Sequence, residues 1–456
     1  MKTSSQVAIQ VKSYNYEEED LQPRRGSLCG LTFNCINTCV GAGILGLSYS
    51  AAQVGYISWI IMLVFGAVTT QWGLFLLNKI CLRLGGDQLS YGKVARAASK
   101  WTPIVVDLIV VIECFALGVL YLGTAADYLV DAAKFFNPNE NPDTWYMTRA
   151  FMVTCGFIIT IPLSFPRKVT ILQYTSSMAV IAILFTVAIV VYYATQPINV
   201  VCHYFLHQNN MSACPTTDTF CCLPGTNNCC IGDVVPAVSS FQAYITAFPV
   251  VIVSFTIAPQ VISMYNDLKN PTNLRLNIVT SSSIITVSLL YITAAISGYF
   301  TYGSMVSDNL LGSYPLSWQV TTARILVAFV VVVSFPLFFH SLRDSFIHSF
   351  GLIHSLTTKS ATDITDPLTK TGKVIYYSVI TLFLAFIYIA SLANMSMSFL
   401  LAFVGSVCMS NLSFTLPGLF YWILFKQDGL TLTRITCPFM IAFGIFIMII
   451  NIVYGF

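Results

Sequence analysis

Charged residues are scarce in this 456-residue chain, where they make up 9% of the sequence. In soluble domains, about 25% of the residues are charged. The sequence has no HExxH, GxSxG or Walker motif, so the zinc, serine and nucleotide chemistries that those motifs mark have no local signature here. Hydrophobic residues are abundant instead, at 56%, and the mean hydropathy is +0.75. This composition predicts an all-α polytopic protein in a lipid bilayer and argues against an enzyme.

Eleven apolar runs are long enough to cross a bilayer, which takes about 20 helical residues. They cover residues 31–51, 57–78, 103–129, 147–164, 171–194, 237–262, 276–300, 320–342, 374–393, 398–425 and 435–455. We number these predicted spans 1 to 11 and assign them to one domain, 31–456. The first 30 residues are polar, with an acidic run at 17–20. They predict a disordered cytosolic tail over residues 1–30.

The positive charges favour one side of these spans. With the N-terminus in the cytosol, all but three of the 22 Lys and Arg residues fall in the tail or in cytosolic loops. The exceptions are Lys134, Arg149 and Arg324. Cytosolic loops of membrane proteins carry such an excess, and one span more or fewer would destroy the pattern. The sequence thus predicts a cytosolic N-terminus and an extracellular or luminal C-terminus.

Cysteine is concentrated in one loop, 195–236. This loop holds Cys202, Cys214, Cys221, Cys222, Cys229 and Cys230 of the 14 cysteines in the chain. The charge pattern places it outside the cytosol, where disulfides persist, and six cysteines allow 15 pairings. A zinc site with His203 or His207 is the alternative. The sequon at Asn210 predicts glycosylation in the same loop.

Span 1 has no charged residue, yet it contains Asn34, Asn37, Gly41, Gly43 and Gly46. An unpaired asparagine is unfavourable in hydrocarbon, and a glycine inside a helix costs roughly 1 kcal/mol relative to alanine. The pattern predicts a helix that unwinds near mid-membrane and exposes backbone N–H and carbonyl groups. Such discontinuous helices form substrate and ion sites in secondary transporters. Close helix packing through small residues is the alternative.

Spans 6 and 8 also contain prolines. Pro249 and Pro259 flank Ser254, Phe255 and Thr256 in span 6, and a proline removes a hydrogen bond from the helix. Breaks in spans 1 and 6 are what an inverted five-plus-five repeat would give, whereas an ordinary kink is the simpler interpretation.

In span 8, Ser334 precedes Pro336. Because a proline frees a carbonyl one turn back, the Ser334 hydroxyl and that carbonyl could complete a cation shell. Alternatively the hydroxyl bonds back to its own helix.

Glu113 lies in the middle of span 3, where no Lys or Arg lies at similar depth in any span. A charge at mid-bilayer costs roughly 2.5–3.5 kcal/mol on insertion scales. The carboxyl group is therefore protonated or faces water, which makes Glu113 a candidate proton-coupling residue. A structural carboxylic acid is the alternative.

Several motifs resemble those of a known family. The stretch FNCINTCVGAGILGLSY at 33–49 resembles the first helix of the amino acid/auxin permease superfamily, in particular its sodium-coupled neutral amino acid transporter branch. Further similar stretches are SFTIAPQVISMYNDLKNP at 254–271, Ser334-x-Pro336 with Arg343-x-Ser345, Gly405-Ser406, and LPGLFY at 416–421. The resemblance spans about residues 27–425.

This resemblance implies a leucine-transporter-like fold, with spans 1–5 and 6–10 as inverted repeats and span 11 added. It implies secondary active transport of amino acids, expected to be neutral ones, by alternating access, driven by a sodium or proton gradient. An amino-acid-sensing transceptor with little flux is the alternative. The expected partners are an amino acid and the bilayer, with no nucleic acid. No cofactor is expected besides sodium as a coupling ion.

Carried over by position, the implied sodium ligands are Asn37, the Val40 carbonyl and Ser334. The implied substrate-binding residues are Thr38, Gly41, Ala42, Gly43, Ser254, Phe255 and Thr256. Ile257 and Ala258 depart from the branch, which often has a histidine there, and His340 stands where an apolar residue is usual. The identity of the amino acid, the coupling ion and the membrane (plasma or lysosomal/vacuolar) stay open.

Overall fold

The computed structural model describes residues 24, 26–40, 43–86, 89–141, 144–165, 175–196, 232–255, 257–358, 369–393 and 395–455. Their regular structure is helical. The helices are α1 Leu28–Cys39, α2 Gly43–Val54, α3 Tyr56–Leu84, α4 Tyr91–Ala98, α5 Thr102–Phe136, α6 Arg149–Ser164, α7 Thr175–Ala194, α8 Phe241–Ser254, α9 Ala258–Asp267, α10 Asn273–Tyr302, α11 Trp318–Thr358, α12 Lys370–Leu392, α13 Met397–Leu424 and α14 Leu432–Tyr454. The cysteines predicted to form disulfides and the Asn210 sequon lie outside the described residues.

Each predicted span overlaps a helical segment within the described residues. Within the described residues, eight helical segments are long and apolar enough to cross a membrane, and the bent pair α1 and α2 makes a ninth. The apolar stretches of α6 and α7, Arg149–Ser164 and Ala179–Ala194, are shorter. The protein is thus a polytopic all-helical membrane protein. The α11 helix extends beyond predicted span 8, which ends at residue 342, as far as Thr358.

Span 1 is broken, as its glycines and asparagines predict. The α1 helix begins at the Ser27 cap, whose side chain accepts a hydrogen bond from the Gly30 N–H, and it ends at the Val40 cap. The α2 helix starts at Gly43 and is bent by 59° from α1. The last carbonyl groups of α1 and the first N–H groups of α2 therefore have no hydrogen-bond partner within their own helix.

Span 6 is broken beyond Ser254. The α8 helix runs through Pro249, and Phe255 caps its end. The α9 helix then starts at Ala258 with Pro259 in its first turn. Proline is tolerated there because the first-turn N–H groups have no partner within the helix.

Spans 6 and 10 form the centre of the molecule. In their apolar stretches, 76% and 78% of the residues are buried, against 28% for both α12 and α14, which therefore lie at the periphery. The α2 helix packs against α8 and against the unbroken helix α10, and α5 and α11 pack along each other. Broken span 1 therefore lies between broken span 6 and α10.

The α13 helix contains two wide π-helical segments, Val404–Met409 and Asn411–Thr415. Glycines on neighbouring helices make room for the second segment. A Cβ atom at Gly73 of α3 would collide with the Ser413 carbonyl oxygen, and one at Gly444 of α14 would collide with the Thr415 hydroxyl. π-helical turns are rare and are found frequently at functional sites.

Candidate functional site

The breaks of spans 1 and 6 lie against each other. A Cβ atom built on Gly43, the first residue of α2, would lie 2.8 Å from Ser254 Oγ and 3.1 Å from Ser254 Cα. Ser254 is the last residue of α8 and is fully buried. The Gly43 backbone can approach the end of α8 this closely only because it carries no side chain.

Tyr291 of α10 joins the two breaks. Its hydroxyl lies 2.7 Å from the carbonyl oxygen of Cys39 and 2.6 Å from that of Ser254, the last residues of α1 and α8. A phenol has one proton, so it donates to these two carbonyls in alternation. Tyr291 is fully buried, so water does not replace this donor. One side chain thus links the ends of both broken helices.

Phe255 completes the apolar surroundings of this junction. Its side chain is fully buried, and its ring centroid lies 5.6 Å from that of Tyr291. The Ser254 hydroxyl donates to the Val250 carbonyl one turn back, at 2.8 Å. Among the other predicted substrate residues, Gly41, Ala42 and Thr256 lie outside the described residues. Thr38 is exposed, and its hydroxyl donates to the Asn34 carbonyl.

Two of the predicted sodium ligands lie at the end of α1, and the third lies in α11. Asn37 and Val40 lie in the last turn and at the cap of α1, and Val40 is buried. The Asn37 Oδ1 atom is buried without a hydrogen-bond partner, which fits a cation ligand because hard cations take oxygen ligands. Ser334 is half-buried in α11. Among the described residues its hydroxyl forms no hydrogen bond with Asn37, with Val40 or with its own helix.

Glu113 is buried in α5, with 6% of its surface exposed. It interacts electrostatically with Tyr91 of α4 and with Cys408 in the first π-helical segment of α13. Within the described part of the chain, no Lys, Arg or His forms an ion pair with it. The carboxyl group therefore lies beside the irregular turn of span 10 without a neutralising partner.

Tyr291 is not among the site residues predicted from the sequence. A signal was present, because Tyr291 is a polar side chain within the apolar stretch VSLLYITAA of span 7. A tyrosine hydroxyl buried in an apolar environment usually finds a hydrogen-bond partner. Its partners, however, come from two other spans, and no sequence spacing relates them to Tyr291.

Comparison with known proteins is consistent with this architecture. A solved structure described as the inward-facing conformation of Mhp1 matches with a TM-score of 0.50 at 13% identity, covering 90% of this chain and 80% of that one. That likeness identifies a leucine-transporter-like fold.

Sequence relatives cover most of the chain. Vacuolar amino acid transporter 5 of Schizosaccharomyces pombe is 27% identical over 85% of this chain and 82% of its own length. Sodium-coupled neutral amino acid transporter 4 of Homo sapiens is 23% identical over 92% and 82%, respectively. The family model for "transmembrane amino acid transporter protein" matches residues 24–456. The chain therefore belongs to the transmembrane amino acid transporter protein family.

Proposed function

We propose that this protein is a secondary active transporter of neutral amino acids that works by alternating access around the paired helix breaks. Membership of the family makes it an amino acid transporter rather than an enzyme. The observation that carries the location of the site is the meeting of two broken spans at one tyrosine hydroxyl. Broken helices of this kind hold substrates and ions in transporters because their ends offer unpaired backbone groups.

The substrate carboxylate binds at the start of α2 in this proposal. The first N–H groups of a helix have no partner within it, and the helix dipole adds positive potential at that end. The binding residues are those predicted from the sequence, Thr38 and 41–43 in span 1 and Ser254 to Thr256 in span 6. Phe255 and Tyr291 supply the buried apolar wall beside them.

Sodium is the proposed coupling ion, held by Asn37, the Val40 carbonyl and Ser334. The unpartnered Asn37 Oδ1 atom supports this assignment, and one relative is named as sodium-coupled. Coupling to protons through Glu113 is the alternative, supported by the burial of that carboxyl group without a cation partner.

We also propose eleven spans, built as a five-plus-five inverted repeat with one helix added, and a cytosolic N-terminus. Two hydrogen bonds between segments that the topology assigns to the same side of the membrane support this proposal. The Gly26 N–H donates to the Asp267 carbonyl, so the N-terminal segment lies beside the end of span 6, and both segments are assigned to the cytosol. The Gly232 N–H donates to the Tyr302 carbonyl, and both of these are assigned to the opposite side.

The remaining proposals concern the ends and loops of the chain. Residues 1–30 form a cytosolic tail, and the 195–236 loop carries disulfides among its six cysteines and a glycan at Asn210. The protein lies in the plasma membrane or in a lysosomal or vacuolar membrane. Two relatives from yeasts are named as vacuolar transporters.

Uptake into proteoliposomes tests the proposed function. Purified protein is supplied with a mixed pool of labelled amino acids under a sodium gradient, a proton gradient and no gradient. Accumulation with sodium alone supports the site formed by Asn37, Val40 and Ser334. Accumulation with protons alone retains the transporter and transfers coupling to Glu113. Binding without accumulation or exchange would refute transport and favour an amino acid sensor.

A further inference from the structure

A polar cavity of about 260 Å³ lies close to the helix breaks. We call it the outer cavity, because its rim comes from the ends of α5, α6 and α12, the 307–309 segment and the start of α13, which are assigned to the non-cytosolic side. Its charged lining residues are Asp127, Arg149 and Asp308, and Val119, Leu120 and Leu400 are among its apolar ones. None of these residues belongs to the site described above.

The outer cavity lies close to span 1, with Leu401 and the backbone of Asp308 next to that span. A Cβ atom on Gly46, one turn after the start of α2, would lie 2.6 Å from Leu401 Cδ1 and 4.0 Å from the Asp308 carbonyl oxygen. Leu400, the neighbour of Leu401, lines the cavity. The cavity is therefore next to the broken span, on the outer side of the break.

Two hydrogen bonds hold the Arg149 guanidinium in place and leave some of its N–H groups unused. Its Nε atom lies 2.7 Å from Asp127 Oδ1, and its Nη1 atom donates to the Ser391 carbonyl at 2.6 Å. A Cβ atom at Gly123 would lie 2.9 Å from Arg149 Nη2, so that glycine makes room for the guanidinium. A guanidinium has five N–H groups. The two bonds therefore fix its orientation and leave other N–H groups available to a carboxylate.

Asp308 has no cation of its own within the described residues. It accepts hydrogen bonds from the Ser398 N–H at 3.3 Å, from the Ser398 hydroxyl at 3.5 Å and from the Ser307 hydroxyl at 3.4 Å. These distances lie beyond the usual range for strong hydrogen bonds. Asp127 and Asp308 also interact electrostatically with each other. Asp127 is paired with Arg149, so Asp308 is the carboxylate of the cavity that lacks a cationic partner among the described residues.

We propose that the outer cavity is a second binding site for the zwitterionic head of an amino acid, used before or after the site at the helix breaks. The α-carboxylate pairs with Arg149, since a guanidinium binds carboxylates through paired N–H groups. The α-ammonium pairs with Asp308 and gives this carboxylate the cationic partner that it lacks, while the net charge of the cavity is unchanged because the ligand is neutral overall. A simple anion is disfavoured by the two carboxylates, and a simple cation makes no use of Arg149. This inference rests on the proposed function, because the ligand is the transported substrate class.

Equilibrium binding of labelled L-alanine and L-leucine to the purified full chain tests the proposal. We expect two molecules bound per wild-type protein at saturation and one per Asp308→Asn protein. An asparagine keeps the shape of the side chain and one acceptor oxygen for the bonds from Ser398, and its NH2 group can donate to the Ser307 hydroxyl, so a merely structural role for Asp308 would survive this change. Asp428→Asn is the matched control, because Asp428 pairs with Arg83 away from the cavity. We expect that variant to bind two molecules.

Analogues of alanine test separately the recognition of the carboxylate by Arg149 and of the ammonium group by Asp308. L-lactate lacks the ammonium group and ethylamine lacks the carboxylate, so each should displace labelled L-alanine from the Asp308-dependent site at least tenfold more weakly than unlabelled L-alanine. Arg149→Gln should weaken that component at least tenfold. One bound molecule in the wild type, or two in Asp308→Asn, would overturn the outer site. The outer site would also be overturned if ethylamine displaced labelled alanine as strongly as unlabelled alanine does and if Arg149→Gln left binding unchanged. The cavity would then be a simple cation site.

Failure of this inference is distinguishable from failure of the proposed function. Proteoliposomes that accumulate amino acid while the protein binds one molecule would refute the outer site alone. A protein that binds two molecules, loses one with Asp308→Asn and transports nothing under any gradient would refute transport but not the outer site.

Discussion

Replacement of Tyr291 by phenylalanine tests whether the two helix breaks act as one unit. The change removes a single oxygen atom and keeps the ring, which packs against Phe255 at 5.6 Å between centroids. What is lost is the donor shared by the Cys39 and Ser254 carbonyls. No other hydrogen bond to either carbonyl oxygen from outside its own helix occurs among the described residues. The substitution therefore separates the hydrogen bond from the packing.

The expected magnitude follows from the burial of the junction. A typical hydrogen bond contributes about 0.5–1.5 kcal/mol to stability, but leaving a buried acceptor without its donor costs about 1–3 kcal/mol. Only one proton is shared between the two carbonyls, so the loss corresponds to one bond and not two. If the bond is made in one transport conformation and not in the other, about 1.4 kcal/mol would shift their equilibrium tenfold.

Initial uptake rates and thermal unfolding are the measurements. We expect Tyr291→Phe to lower uptake about tenfold or more, with a modest loss of thermal stability. Tyr299→Phe is the matched control on the same helix. Its hydroxyl accepts a hydrogen bond from the Val235 N–H at 3.0 Å, far along α10 from the breaks. Equal uptake by the two variants would refute the idea that Tyr291 couples the breaks.

Three further substitutions, the first with a control, test other residues of the proposed mechanism. Gly43→Ala places a methyl group 2.8 Å from Ser254 Oγ, and since overpacking costs about 1–3 kcal/mol, uptake should fall at least tenfold. Gly92→Ala, with nothing nearer than 4.0 Å, should be neutral, and equal effects would contradict the close approach. Ser334→Ala should raise the sodium concentration for half-maximal uptake at unchanged membrane abundance, and an unaltered sodium dependence would remove Ser334 from the ion site. Glu113→Gln should flatten the pH profile of uptake because it removes the titratable proton, and a profile of unchanged shape would leave Glu113 a structural role.

The helical framework and the break in span 1 could be predicted because both depend on local sequence. A bilayer forces each span into a helix, so apolar length alone locates the spans. Asn37 and the glycines of span 1 are unfavourable inside a continuous helix, and this marks the break. In span 6 the prolines indicate the right region, but the interruption begins at Phe255, because Pro249 is accommodated within α8.

The junction and the outer cavity could not be predicted in the same way. Tyr291 meets Cys39 and Ser254 from residues far apart in the sequence. Arg149 was noted only as one of three positive charges on the non-cytosolic side, whereas its partners Asp127 and Ser391 come from two other helices. Such contacts depend on how the helices are arranged around one another, which hydrophobic periodicity does not specify.

The wide segments of α13 have a geometric consequence for the whole second half of that helix. A π-helical turn holds more residues than an α-helical turn, and each residue of an α-helix accounts for about 100° of rotation and 1.5 Å of rise. Converting Asn411–Thr415 to regular α-helix would therefore rotate the segment from Leu416 onward about the helix axis and shift it along that axis, relative to Met397–Phe403. Gly73 and Gly444, which leave space around that segment, fix where along the helix such a rotation can take place.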